Sequence, residues 1–510
     1  MRKTMPSLTH NLMEICSPSL SGILLGLGIG GVDVVGKQHI KYLDVYLLSI
    51  GAKCAVIEHE YIDRDYLEDY TRYYSRCFKA YKRECERVHF FSKEYSAEEM
   101  KHALLDEDGS GRASMQDSYL GFVVLRPLQR TIIGRTCLRP YAELDGRHYK
   151  ALCDVSVSFF GVHLNVRCMP FQEQDSTVAA CATCALWSAF QVTADFFQHA
   201  VYTPGRITEL ATSHGLSSVR SLPNGSGLTT SDILYAIRHV GLDPVVVKAN
   251  DEVVGVGKSV ILGNVYSYLG LGISVVVLGE IVGEGGKKMG GHAITVNGYH
   301  LTANNNVRGC GSSKLRAGSI DKLYVHDDQL GPYARAEIQD DGVCGRWLLK
   351  HDDAQHQTEI VKLFVPKFLV IPVYQKIRVS YDEVWTRAYE FDRIICVLPE
   401  LRGAMEWDIT LRASNCMKVL VRQDTVIPSE ERFRFLTTGL PKYVWELTLY
   451  CNGNRWAMFC IDATDSGQGL NVAASVFYSV ELPDMVTALC EAMPSLLSEP
   501  LCRACVRLSQ

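Results

Sequence analysis

The chain has 510 residues, too many for one ordinary core, so two or three domains are expected. Its 47% hydrophobic and 21% charged residues exclude a disordered chain, and a net charge of −5 with no block of like charges offers no sign of a nucleic-acid or anionic-membrane partner. Eighteen cysteines scattered from Cys16 to Cys505 lack the density of a secreted disulfide scaffold and read mostly as buried thiols.

At the N-terminus, Arg2 and Lys3 precede His10, Asn11 and Glu14, which interrupt the stretch before an apolar core begins and make a poor secretory signal. Gly26, Gly28 and Gly31 satisfy G-x-G-x-x-G, but GVDVVGK continues in a strand-like pattern and Gly36 interrupts any helix that would receive a pyrophosphate, so a turn is expected. Between about 40 and 106 the chain is dense in Tyr, Arg, Lys and Glu. Tyr66, Tyr70, Tyr73 and Tyr74 recur at helical spacing and predict a helix with an aromatic face. DEDGSGR at 106–112 is a turn-rich break, and SYLGFVVLRPL reads as a strand ended by Pro127. These features define an N-terminal mixed domain over 1–164.

A second domain is expected over 165–375. It opens with FQEQDSTVAACATCALWSAF at 171–190, an apolar run at helical spacing behind cap-type residues Asp175, Ser176 and Thr177. Thr229, Thr230 or Ser231 caps a helix that closes at Gly241. GVGKS at 255–259 ends like a phosphate loop, but Glu252 stands at its first glycine position and a carboxylate there repels phosphate. The most apolar later stretch, YLGLGISVVVLGEIVG at 268–283, falls short of a bilayer span and contains Glu280. Strands follow at SVVVLGEIV, HAITVNGY, KLYVHDD and LFVPKFLVIPVYQKIRV. Helices first and strands afterwards predict an α+β fold. The third segment, 376–510, mixes strands such as WELTLYC with a helix near LPDMVTALCEAM and carries no readable motif. The whole reads as a soluble cytoplasmic protein.

Chemistry concentrates in the second domain. A helix mouth supplies unpaired N–H groups and partial positive charge, which favour a thiolate; Cys181 lies in or near the first turn and Cys184 one turn deeper, so Cys181 is the expected nucleophile. A glutamine amide upstream can serve as oxyanion donor, and of Gln174 and Gln172 the nearer, Gln174, is chosen. Among fifteen histidines, His292 in GGHAITVNGY is framed by glycines at the entry of an alternating strand and is the expected base, ahead of His300 and His326. In KLYVHDDQLGPY, Asp327 shares a strand face with Leu323 and Val325, and so is expected to point inward and orient the imidazole in preference to Asp328.

The order Gln174, Cys181 with Trp187 behind it, then GGHAITVNGY, then VHDDQLGPY resembles the papain-like cysteine peptidases, in particular the bacterial branch that includes bacteriocin-leader peptidases. The likeness covers residues 165–375 only. Cys181 is followed by Ala182, where these enzymes often have glycine, and Asp328 stands where proline is common. The resemblance implies a helix packed on an antiparallel sheet, with Cys181 as nucleophile, His292 as base and acid, Asp327 as its orienter and Gln174 in the oxyanion hole. The function expected is a thiol hydrolase acting on peptide or isopeptide amide bonds of a protein or peptide substrate, with no cofactor or metal. The alternatives are a catalytically silent peptide-binding module and a zinc-structured interaction protein, in which the C-x-x-C pairs Cys181/Cys184 and Cys502/Cys505 supply four thiolates. A thioredoxin-like redox pair lacks the βαβ frame it needs.

Overall fold

The computed structural model describes residues 13–506 apart from 30, 106–108, 145, 176, 216–220, 250–257, 284–285, 303–307, 311–312, 340–346, 353–357 and 466–469. The signal-peptide reading of residues 1–12, the start of the 106–112 break and the Glu252 and 255–257 part of the GVGKS stretch lie outside these residues.

The N-terminal strands Met13–Cys16, Cys54–Tyr61, Cys85–Phe91, Tyr119–Leu125 and Ile133–Leu138 form a five-stranded antiparallel sheet in chain order. All seven residues of Tyr119–Leu125 are buried, as expected for an apolar run covered on both faces. The aromatic helix is shorter than the tyrosine spacing predicts. It runs from Arg64 to Arg72, capped by Asp63, whose carboxylate accepts the Tyr66 N–H at 2.9 Å, and Tyr74 falls in a separate turn. The glycine-rich stretch also differs: Leu20–Gly26 and Gly31–Val35 are short helices, so a helix and not a strand leads directly into the glycines and a dinucleotide fingerprint lacks its frame.

The middle of the chain builds the site. Val275–Val282, Lys288–Leu301, Ile320–Asp327, Gly331–Ile338, Trp347–Asp352 and Thr358–Tyr374 pair antiparallel in that order, and Thr358–Tyr374 is long enough to pair also with Val275–Val282. The six strands thereby close into a ring, which removes its edges. Helix Cys181–Phe197 packs against this ring, and its apolar faces are covered almost throughout. The Thr295 hydroxyl donates to the Ala185 carbonyl at 2.9 Å, tying the helix to the strand that carries His292. The helix Thr230–His239 begins at Thr229 with a reciprocal capping box to Asp232.

The C-terminal sheet runs Arg308–Cys310, Ser313–Leu315, Met405–Ala413, Tyr443–Cys451, Asn454–Asp462, Val472–Phe477. Two of the expected domain boundaries are therefore crossed. Ser313–Leu315, from the middle segment, pairs parallel with Met405–Ala413, and Arg147–Tyr149, from the first, pairs with Lys288–Leu301. One apolar cluster runs from Leu20 through Ile294 and Trp407 to Cys505, so the sheets share a core. The fold class is α+β with mainly antiparallel sheets. Among the described residues no helix is long and apolar enough to cross a membrane.

Candidate active site

The loop before the helix decides where Cys181 stands. Asp175 does not cap the helix; it accepts the Thr177 N–H at 3.1 Å and the Tyr74 hydroxyl, and it bridges to Ala179, so it turns the chain instead. The cap position falls to Ala180, which has no side-chain acceptor, and Cys181 is the first helical residue. The first-turn N–H groups beside the Cys181 thiol are thus left without a side-chain cap. Cys181 is half-buried, whereas Cys184 is buried and its thiol is pushed well above the ordinary range by burial and by the nearby Asp328.

His292 is buried on the strand Lys288–Leu301, opposite Gly279. Its Nε2 lies 3.0 Å from Oδ1 of Asp327, and the Cys181 side chain is near enough to the same imidazole to help raise its pKa. Burial works against a charged imidazole here, yet Asp327, Cys181 and Asp328 together raise it well above the ordinary histidine range. Burial likewise works against the Asp327 carboxylate, but the His292 charge and hydrogen bond, Lys362 at 3.8 Å and the Gln329 N–H at 2.9 Å hold it well below the usual carboxylate range. Gly290, which leads into His292, has φ +150°, a conformation open to glycine.

Cys181, His292 and Asp327 are therefore brought together, and Gln174 is not part of the cluster. The residue that lines the small cavity beside Cys181 is Gln172, whose amide nitrogen is buried and unpartnered, while Gln174 is half-buried outside it. Spacing from the cysteine pointed to the nearer glutamine. The chain path is set instead by Phe171, which exchanges backbone hydrogen bonds with Thr136 at 2.7 and 2.9 Å, and by Glu173, whose N–H donates to the Ile133 carbonyl at 3.1 Å. Asp328 and His326 also line the cavity, although strand parity assigned them to the less apolar face; both faces of that strand end are buried. His300 pairs with Asp321 away from the cluster.

On the outer side of His292, an open groove of about 820 Å³ is lined by Met289, Gly290, Gly291, Gln329 and Lys362. A side chain added at Gly290 or Gly291 would meet no atom within 4 Å, so the groove floor there is bare backbone.

The four-thiolate zinc reading is not assembled. Cys502 and Cys505 lie on the helix Pro500–Val506 beside Cys490, and among the described residues the one group with ligand spacing is His292, Asp327 and Asp328. In that group the His292 nitrogen is already engaged by Asp327, and the Lys362 ammonium lies against the other Asp327 oxygen, an arrangement that holds a proton and repels a cation. Compared with known proteins, the chain matches no family model and no curated protein.

Proposed function

We propose that this chain is a papain-like thiol hydrolase that cleaves peptide or isopeptide amide bonds of a protein or peptide substrate. The observation that carries the reading is the His292 imidazole, held by Asp327 on Nε2 and influenced by the thiol at an uncapped helix mouth. Each part answers a chemical need. The Cys181 sulfur attacks the carbonyl carbon, and the oxyanion that forms is met by the Cys181 N–H and the Gln172 amide. His292 gives its proton to the departing amine as the C–N bond breaks, leaving a thioester. It then takes a proton from the water that attacks the thioester, and the acid departs with Cys181 restored. The bare backbone of Gly290 and Gly291 supports an extended substrate lying in the groove beside His292.

The test is labelling by a peptide-bearing electrophile, followed by screening of a peptide library. Labelling at Cys181 that is lost in Cys181→Ala and strongly reduced in His292→Ala is expected. Labelling of Cys181 that ignores His292, with no cleavage of any peptide, would leave a binding cleft and refute the hydrolase reading.

A further inference from the structure

Asp328 is a second carboxyl at the site, and the triad has no use for it. It is 4% exposed, neither of its oxygens has a hydrogen-bond partner, and Oδ1 lies 3.8 Å from Nε2 of His292. A buried polar group without a partner costs stability, so a cluster of them around one space calls for a physical reason. The Asp328 carboxyl and the Gln172 amide nitrogen are unpartnered by other side chains, and with His326 these residues line the cavity that Cys181 and Cys184 close from the helix side. The cavity measures about 10 Å³, the size of a single water, and its other walls include Phe171, Ala185 and Ala293. Charge in such a space is poorly screened.

The groups that face Asp328 fix what its charge would do. Asp327 precedes it at the end of Ile320–Asp327, His292 lies on the neighbouring strand, Lys362 comes from Thr358–Tyr374, and the two thiols come from the helix. His326 shares the cavity but is neutral, its pKa pushed down to about 3 by burial. Asp327 is ionised and takes the Nε2 side of His292, while Lys362 compensates Asp327 from the far side. Arg126 also acts on Cys184 but is drawn chiefly by Asp175 and Glu173, so the His292 imidazolium is the cation that Asp328 and Cys181 share.

We propose, resting on the thiol-hydrolase reading, that Asp328 is a positioning residue of this site: neutral, it donates a hydrogen bond into the cavity beside Cys181; ionised, it competes with the Cys181 sulfur for the single imidazolium of His292. Burial, reinforced by the Asp327 charge, pushes the Asp328 carboxyl up to about 7 against the opposing pull of His292 and Lys362, which puts the change of state near neutral pH. The reactive form of the site lies on the acid side of that change. As pH rises through it, the added carboxylate draws the imidazolium away from the sulfur and opposes the charge that develops on the substrate oxygen.

The test compares the rate of Cys181 alkylation by iodoacetamide in the full chain from pH 5 to 8.5, read by mass spectrometry, for the native protein, Asp328→Asn and His292→Ala. Asparagine keeps the shape and a donor but cannot ionise. The native rate divided by the Asp328→Asn rate should fall about tenfold between pH 6 and pH 8, with its midpoint near 7. A ratio flat across this range overturns the proposal, as does a folded Asp328→Asn protein that is equally slow at every pH. If Asp328→Asn does not fold, Asp328→Ser should show the same loss of the step, and a step that persists in it overturns the proposal. A Cys181 rate indifferent to His292→Ala at all pH values would fail the hydrolase reading itself. A His292-dependent rate with no Asp328 step would fail this inference alone.

Discussion

Replacing Asp327 by Asn removes one charge from the centre of the site while keeping its shape. The pair it belongs to is buried on both sides, with Nε2 and Oδ1 3.0 Å apart. At an effective dielectric constant of about 20, two unit charges at that distance attract by roughly 5 kcal/mol. The asparagine carbonyl still accepts the imidazole N–H for about 1 kcal/mol, and part of the remainder is returned because a buried carboxylate no longer has to be desolvated. A net loss of about 3 kcal/mol in stabilising the imidazolium is left, equivalent to roughly 10²-fold in rate. That is smaller than the ~10⁴-fold loss of the analogous serine-triad change, as expected for the stronger sulfur nucleophile. The Gln329 N–H can still donate to the new side chain, and Lys362 is 17% exposed and can turn to solvent, so the fold should survive. The assay is the pH 6 alkylation rate of Cys181 together with the melting curve. An Asp327→Asn protein that melts normally and reacts at the native rate would refute the coupling of Asp327 to the thiol.

Cys181 should be alkylated well before Cys184, whose thiol is buried and pushed well above the ordinary range; equal labelling in the native state would contradict the helix-mouth geometry. Gln172→Ala should weaken binding of a peptide aldehyde, which forms an oxyanion on the thiol, by about 10²-fold, while Gln174→Ala should change it little; the reverse pattern would return the role to Gln174. Thr295→Val keeps the shape but loses the hydrogen bond to the Ala185 carbonyl, and urea unfolding should show a loss of about 1 kcal/mol. His89 is buried, and burial holds its pKa at about 4, below the unfolded value of about 6.5. The unfolded chain therefore binds the extra proton first, and the contribution of His89 to stability is present above pH 6.5 and declines as pH falls toward 4. His89→Gln should flatten the fall of melting temperature over that window, and an unchanged slope would count against it.

What could be read along the chain was local. The 3.6-residue spacing behind Cys181, a helix cap among Thr229, Thr230 and Ser231, and the alternation in HAITVNGY and KLYVHDD each rest on residues within a few positions of one another; the fold keeps the helix and the strands and selects Thr229 as the cap. Strand parity likewise selected Asp327, which is the residue bonded to His292. Where the prediction missed, a distant segment had intervened. Asp175 turned the loop because Tyr74, 101 residues earlier, donates to it, and the cap moved to Ala180. Gln172 reached the cavity because Phe171 and Glu173 bond to the strand edge at Thr136 and Ile133. Asp328 was assigned to an outer face, but the ring of strands closes and the helix Cys181–Phe197 covers it, so no outer face remains there. Ser313–Leu315 joins the C-terminal sheet instead, where Lys314 pairs with Glu406 and Leu315 with Trp407, residues far along the chain. Periodicity and caps report which face of an element is apolar. Which partner covers that face depends on contacts between residues far apart in the chain, and those contacts brought a buried carboxyl and the farther glutamine to the cavity beside Cys181.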